Sequence, residues 1–523
     1  MGDLASRAAA LREHASSLAG SLSSTASGET TLACERAILR LFGVAGLDGR
    51  GRPLAGEVVE RLAALGPGRL GGGIALPFAV AAREYDLDAR QLALDIAAGD
   101  VDLGLEAELL GDPARRAEAE ATINGWLGDA WDRFEANRTA RAELMDVLGE
   151  PAAPWLGIDL PAAPAGLAAA VAADAVARGA SSIRVRVPPD RELRRRLGEE
   201  LDVDDSGADP LLAPAGSQRG IGVLRSVIDE AAAARGGYVR LATRAIGLAA
   251  PDQAVVAGFE RVDLVFADPL ETVVEFGVEP GRAIADHIFA VRLLVLAGAD
   301  LVLGSGPLAV APELARGEPL EAATRIGRGI ALQALSVELS RDAGLPDARI
   351  LIGALSREHL SAPMAIEPGI VEIALRRAVF PAFALVIDEP ESEDADAAWP
   401  VALPAWNLDD RLAAVFRRPV AADIGSAAHE VRQAAAASAA SAAARDAGPL
   451  RGPAAELADR SLAIAEATLG ELAAEGWDRL LLSPAALARR SDPTSGWIGG
   501  AGRVPRREDV DIFRSVDVNR GAP

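Results

Sequence analysis

"VDLVFADPL", residues 262–270, shows most plainly the unit from which the middle of this chain is built. A short apolar run stops at Asp268 and Pro269, and an Ala/Leu-rich helical stretch follows. The same unit recurs along the middle of the chain. "WLGIDL" ends at Leu160, "SIRVRV" spans 182–187, "YVRLAT" 238–243, "LVLGSG" 301–306, "RILIGAL" 349–355 and "FALVIDE" 383–389. "PVALPAW" at 400–406 is a weaker eighth run. About eight strands alternating with helices over roughly 250 residues predict an α/β fold, a (β/α)8 TIM barrel, with an open doubly wound sheet as the alternative.

Outside that region the pattern is helical. Residues 3–24 are Ala-rich and amphipathic, and Thr30 or Thr31 can cap a helix that carries Glu35 in its first turn. Leu32, Ile38, Leu39, Leu41 and Phe42 supply its apolar stripe, and Gly43 or Gly46 its stop. Further helical patterns cover 55–65, 88–98 and 113–148, and helix returns at 427–447 and 453–476. The expected organisation is a helical N-terminal extension (1–150), a TIM-barrel domain (151–425) and a helical C-terminal extension with a tail (426–523). Trp497 and Phe513 are the docking points expected of that tail.

Composition narrows the function. The chain has 523 residues, 50% hydrophobic and 25% charged, enough to bury a large core. A net charge of −23 argues against nucleic acid or an anionic membrane as partner, since both would be repelled. The sequence also lacks the apolar runs expected of a signal peptide or a membrane span. The single cysteine, Cys34, excludes an internal disulfide and a Cys-rich zinc site; it reads as core packing in a cytoplasmic protein. All 53 basic residues are arginine. A covalent Schiff base with pyridoxal phosphate requires a lysine amine, so this chain cannot anchor that cofactor covalently.

In a barrel the reacting groups belong at the C-terminal ends of the strands. Polar residues there are Asp159, Arg186, Arg244, Asp268, Glu271, Ser305, Ser356, Arg357, His359, Asp388 and Glu389. Asp268 and Arg244 are the catalytic candidates. Asp268 could bind an ammonium or hydroxyl group, or simply cap a turn. Arg244 could pair with a carboxylate or phosphate, or form a strand-end salt bridge. Arg186, Gly304, Ser305 and Gly306 are the cofactor-binding candidates; "GSGPLA" at 304–309 matches G-x-G-x-x-A, though Pro307 and Pro312 equally suit a plain tight loop. His359 has no companion at metal-ligand spacing, and no metal site is expected.

"TTLACERAILRLFGVAGLDGRGRPL" at 30–54 and "ALDIAAGDVDL" at 93–103 resemble the N-terminal helical extension of the α subunit of lysine 5,6-aminomutase. The likeness continues through "YVRLATRAIGLAAP" at 238–251, "VDLVFADPL" at 262–270 and "DAGLPDARILIG" at 342–353. The resemblance implies a barrel subunit of an enzyme that moves a terminal amino group to the neighbouring carbon, using adenosylcobalamin and pyridoxal phosphate. It also implies a small amino-acid substrate and a cobalamin-binding β-type partner subunit, which carries the anchoring lysine. The absence of a D-x-H-x-x-G cobalamin motif here fits that division. Asp268 and Arg240 match the family's pattern. The family's phosphate-holding arginine and serine after the second strand fall on Val187 and Glu192, and a later serine falls on Ile246. A tyrosine and an arginine fall on Glu271 and Phe276, and a substrate-binding aspartate on Gly306. Two functions therefore stay open: an active aminomutase-like subunit, or a non-catalytic or repurposed paralogue serving as a scaffold.

Overall fold

The computed structural model describes residues 2–26, 30–65, 70–106, 110–151, 155–160, 163–187, 211–244, 251–270, 273–274, 277–304, 321–355, 366–388, 412–417, 450–477 and 512–513. Eight parallel strands close a barrel in chain order: β1 (Trp155–Asp159), β2 (Ser182–Arg186), β3 (Arg240–Arg244), β4 (Leu264–Ala267), β5 (Asp300–Leu303), β6 (Ile350–Leu355), β7 (Ala384–Asp388) and β8 (Leu412–Arg417). β8 pairs back onto β1, with Trp155 opposite Ala414 and Gly157 opposite Phe416. The eighth strand is thus "LAAVFR", downstream of the expected run at 400–406, which lies outside the described residues. Pro400 and Pro404 in that run lack the N–H that a central strand must donate.

Ahead of the barrel lie α1 (Gly2–Ala26), α2 (Leu32–Leu41), α3 (Leu54–Ala64), α4 (Ala75–Glu84), α5 (Ala89–Ala98) and α6 (Pro113–Leu148). The connecting helices are α7 (Ala165–Ala177), α8 (Gln218–Arg235), α9 (Pro251–Phe259), α10 (Pro280–Ala297), α11 (Ala322–Asp342) and α12 (Ile366–Val379); α13 (Pro453–Glu475) follows the barrel. Local chemistry sets their starts. Thr31, Asp88, Asp112, Ser217 and Glu279 each accept a backbone N–H of the first turn that follows.

Apolar residues are buried in two places because successive strand residues face opposite ways. Ile183, Val185, Leu241, Val265, Leu301 and Ile352 face outward and join the helices in the main core. Inside the barrel, Trp155, Ala242, Leu264, Phe266, Val302, Leu351, Val386 and Phe416 form a second cluster. Phe416 fills the centre against β1. A Cβ on Gly157 would lie 2.4 Å from its ring, so that position admits only glycine without displacement.

The segment at 30–54 is a polar lock onto the barrel's helices. Thr30 donates to Glu35, which also accepts the Ile74 N–H at 2.7 Å. Thr31 accepts the Cys34 N–H at 2.9 Å and donates its hydroxyl proton to Asp286 of α10, which accepts from Arg282 at 3.2 Å. Arg36 and Arg40 reach Asp252 and Gln218 at the starts of α9 and α8. Thr30, Thr31, Glu35 and Asp286 are fully buried, so each needs these partners to offset desolvation. Cys34 is buried as expected, with Sγ 3.6 Å from Asp286.

The 36-residue α6 fastens the other end of the barrel. Arg141 donates to the carbonyls of Val262, Ala297 and Gly298 at 2.8, 3.1 and 2.7 Å, and pairs with Asp263 at 2.8 Å. At the C-terminus, α13 lies against α11 where Gly327 permits it; a Cβ there would sit 2.4 Å from the Ser461 carbonyl. Phe513 meets Trp131 of α6 and Phe289 of α10, as expected of a docking residue; Trp497 lies outside the described residues.

Candidate site at the barrel mouth

The strand sequence "SIRVR" places Ser182, Arg184 and Arg186 on one face of β2. That face is the barrel interior, as Arg184 shows. Its guanidinium stands 4.7 Å from the Phe266 ring centroid and 4.4 Å from that of Phe416, and it pairs with Asp159 at 3.3 Å. Both charged side chains are 2% exposed. Two aromatic faces and an ion pair together make burial of this arginine tolerable.

The next inward residues lie at the mouth. Arg186 of β2 stands directly across from Arg244 of β3, and the Val187 N–H donates to the Arg244 carbonyl at 2.9 Å, pinning the two strand ends together. Both arginines are half-buried. Like charges on facing strand positions repel, so this pairing requires anionic company. Asp159 supplies part of it: burial alone would raise its pKa, but Arg184, Arg186 and Arg244 outweigh that and hold the carboxyl below its ordinary value. Asp268 lies one inward step beyond Phe266, which is paired with Arg244, and is 3% exposed. Arg186, Arg244 and Asp268 all interact with surrounding protein.

Gly304 ends β5 with a φ of +66°, a conformation suited to glycine. Its N–H is committed to the Ala267 carbonyl at 3.1 Å, so it is part of the barrel wall rather than a spare donor for phosphate. Ser305 and Gly306 lie outside the described residues, as do Glu271, His359, Ser356, Arg357, Glu389, Glu192, Ile246 and Phe276. Val187 is buried at the end of β2.

The fold therefore brings Asp159, Arg186, Arg244 and Asp268 to one mouth, four of the residues expected at strand ends. Sequence reasoning passed over Arg184, although the alternation Arg184-Val185-Arg186 already put both arginines on one face. It also passed over Gln333, which no strand pattern could reveal because it reaches the mouth from α11. Among the described residues no group of three or more His, Cys, Asp or Glu is placed to hold a metal ion. No helix among them is long and apolar enough to cross a membrane.

Comparison with known proteins agrees with the fold and the opening segment. A family model described as the D-lysine 5,6-aminomutase TIM-barrel domain of the alpha subunit matches residues 4–390. The lysine 5,6-aminomutase alpha subunit of Fusobacterium nucleatum is 22% identical over 345 residues, covering 65% of this chain and 62% of its own. The same subunit of Acetoanaerobium sticklandii is 24% identical over 327 residues, 62% of this chain and 59% of its own. The match thus spans about three-fifths of the length of these curated relatives. A Rubisco-like protein of Rhodopseudomonas palustris aligns with a TM-score of 0.32 at 14% identity, over 59% of this chain and 69% of its own. The extent of the family match, reaching from α1 through β7, means that this chain belongs to the family of the D-lysine 5,6-aminomutase alpha-subunit TIM-barrel domain.

Proposed function

We propose that this chain is the barrel subunit of a cytoplasmic aminomutase acting on lysine or a related diamino acid, in complex with a cobalamin-binding partner subunit. The observation that carries the reading is the facing pair Arg186 and Arg244 above the Asp159–Arg184 ion pair. Two guanidinium forks on neighbouring strands suit a phosphate group, whose several oxygens can accept from both. The donor set therefore fits the phosphate of pyridoxal phosphate. The lysine-free sequence gives this chain no amine for a covalent anchor, so in this reading the partner supplies it.

When bound, pyridoxal phosphate carries the migrating nitrogen and adenosylcobalamin supplies the radical that starts the migration. This chain's own residues bind, orient and exclude water. Arg186 and Arg244 hold the anionic group at the mouth. Arg184, fixed between two rings, keeps Asp159 ionised and immobile beneath them. Asp268, buried at the end of β4, accepts from the substrate's ammonium group. Phe266 and Phe416 seal the barrel below, so water cannot approach from the floor.

The experiment is to purify the tagged chain from its own host, identify what accompanies it, and assay the complex with D-lysine, β-lysine and related diamines. Cofactor-dependent turnover by a complex with both corrinoid and pyridoxal absorption bands is the expected result. A folded complex that has neither the pyridoxal band nor turnover overturns the reading in favour of a scaffold paralogue, which the replacement by Val187 would then explain.

A further inference from the structure

The side chain of Gln333 on α11 is 1% exposed and passes between two strand ends. Its Nε2 donates to the carbonyls of Leu303, Gly353 and Gly304 at 2.5, 3.0 and 3.3 Å. These carbonyls lie where β5 and β6 end or lose regular register: the β5–β6 pairing stops at Leu303 and Ile352, and β6 shifts register against β7 after Gly353. Backbone acceptors at such a place need donors from outside the ladder.

The amide's orientation is dictated from its other end. Oε1 accepts from Arg376 Nε of α12 at 3.0 Å, and Arg376 is paired with Glu372 at 2.6 Å. Because an arginine can only donate, the amide oxygen must face it and the NH2 must face the strands. Gly304 completes the fit. A Cβ at that position would lie 2.7 Å from Nε2, so a side chain there would evict the glutamine.

We infer that Gln333 is a positioning residue of the mouth: it holds the ends of β5 and β6 against each other, and so the side of the mouth opposite β1 and β2. This role rests on the reading of the mouth as the ligand site. The requirement is chemical and not merely steric. Methionine would match the shape yet take the amide's two N–H donors away from these carbonyls, and glutamate would turn a carboxylate toward them.

The test compares the full-length chain with Gln333→Met, Gln333→Glu and Arg376→Met. Hydrogen exchange followed by mass spectrometry reads the strand ends, and titration with pyridoxal phosphate reads the site. Gln333→Met is expected to speed exchange of the Gly304 amide and of those following Gly353 by about tenfold, the effect of losing roughly one net hydrogen bond, while β1 to β3 exchange as before. Gln333→Glu should do at least as much. Arg376→Met, which leaves the donors but frees the amide to turn, should do less; it also reports on the contact if Gln333→Met folds poorly. Pyridoxal phosphate affinity should fall in the same order. Unchanged exchange at Gly304, or acceleration spread evenly over all eight strands, overturns the inference. If the wild-type chain assembled with its partner subunit does not bind pyridoxal phosphate, the proposed function fails, and the exchange pattern still decides the role of Gln333.

Discussion

The N-terminal face of the barrel and its C-terminal mouth each bury an aspartate among arginines, and they differ in what surrounds those arginines. At the floor, Asp263 accepts from Tyr238 Oη at 2.8 Å and the Leu241 N–H at 2.7 Å, and pairs with Arg141 and Arg225. Those arginines also donate to the carbonyls of Val262, Ala297, Gly298 and Val239, and Arg225 to the Asp229 carboxylate at 2.5 Å. Burial raises the Asp263 pKa, but the arginines and the Leu241 N–H prevail and lower it. At the mouth, Asp159 meets an arginine that lies on aromatic faces, with two more that are half-buried. The floor's arginines tie the carboxylate to backbone carbonyls of several elements, which suits a scaffold. The mouth's arginines lie on rings or are half-buried at strand ends, the place where barrels meet their ligands.

That contrast can be broken experimentally. Asp263→Ala leaves Arg141, Arg225 and Tyr238 buried without their carboxylate, and an expected loss of about 3–5 kcal/mol should appear in urea denaturation. Asp159→Ala should cost less: it strips the buried Arg184 of its carboxylate, but that guanidinium keeps two aromatic faces, and Arg186 and Arg244 are only half-buried. Equal losses would mean that the mouth is as much scaffold as the floor.

Acid separates a third element, the helical shell, from both. His287 of α10 lies fully buried with Nε2 2.9 Å from Ser340 Oγ, and burial lowers its pKa from 6.5 to about 4. The unfolded chain therefore takes up this proton first as pH falls. Stability is expected to decline by about 3 kcal/mol between roughly pH 6.5 and pH 4, and His287→Gln should flatten that slope. The two aspartates act in a lower window: their depressed folded pKa values contribute stability above the unfolded carboxyl pKa, lost as pH falls through the folded one. A slope that survives in His287→Gln would assign the acid response elsewhere.

At the mouth, Arg186→Met or Arg244→Met should weaken pyridoxal phosphate binding by about 10- to 100-fold, roughly 1.5–3 kcal/mol for a charged hydrogen bond. The urea midpoint should barely move. The double variant should lose less than the sum if both forks hold one phosphate. An unchanged affinity with a lowered midpoint would reclassify the pair as scaffold. The smallest effect is expected at the opening lock, where Thr31→Val removes the α2 cap and the contact to Asp286. It should lower stability by about 1–2 kcal/mol without altering affinity.

Much of this was legible in the residues. The helix over 113–148 and seven of the barrel strands coincide with their patterns, because apolar periodicity records which faces are buried. The eighth strand was misplaced because an apolar run with two prolines resembles a strand in composition and not in hydrogen bonding. Asp159, Arg186, Arg244 and Asp268 could be placed at strand ends from the runs alone. Arg184 was overlooked because an arginine buried between rings breaks the expectation that charge lies at the surface.

The alternation of strands and helices, the lysine-free chemistry and the family marked by residues 30–54 can all be read from the residues in order. Each is a property of local order or composition. Tertiary structure decided that Thr31 meets Asp286, that Arg186 stands beside Arg244, and that Gln333 joins β5 to β6. Those contacts join residues far apart in the chain, and their geometry follows from barrel closure and helix packing, which no local pattern encodes.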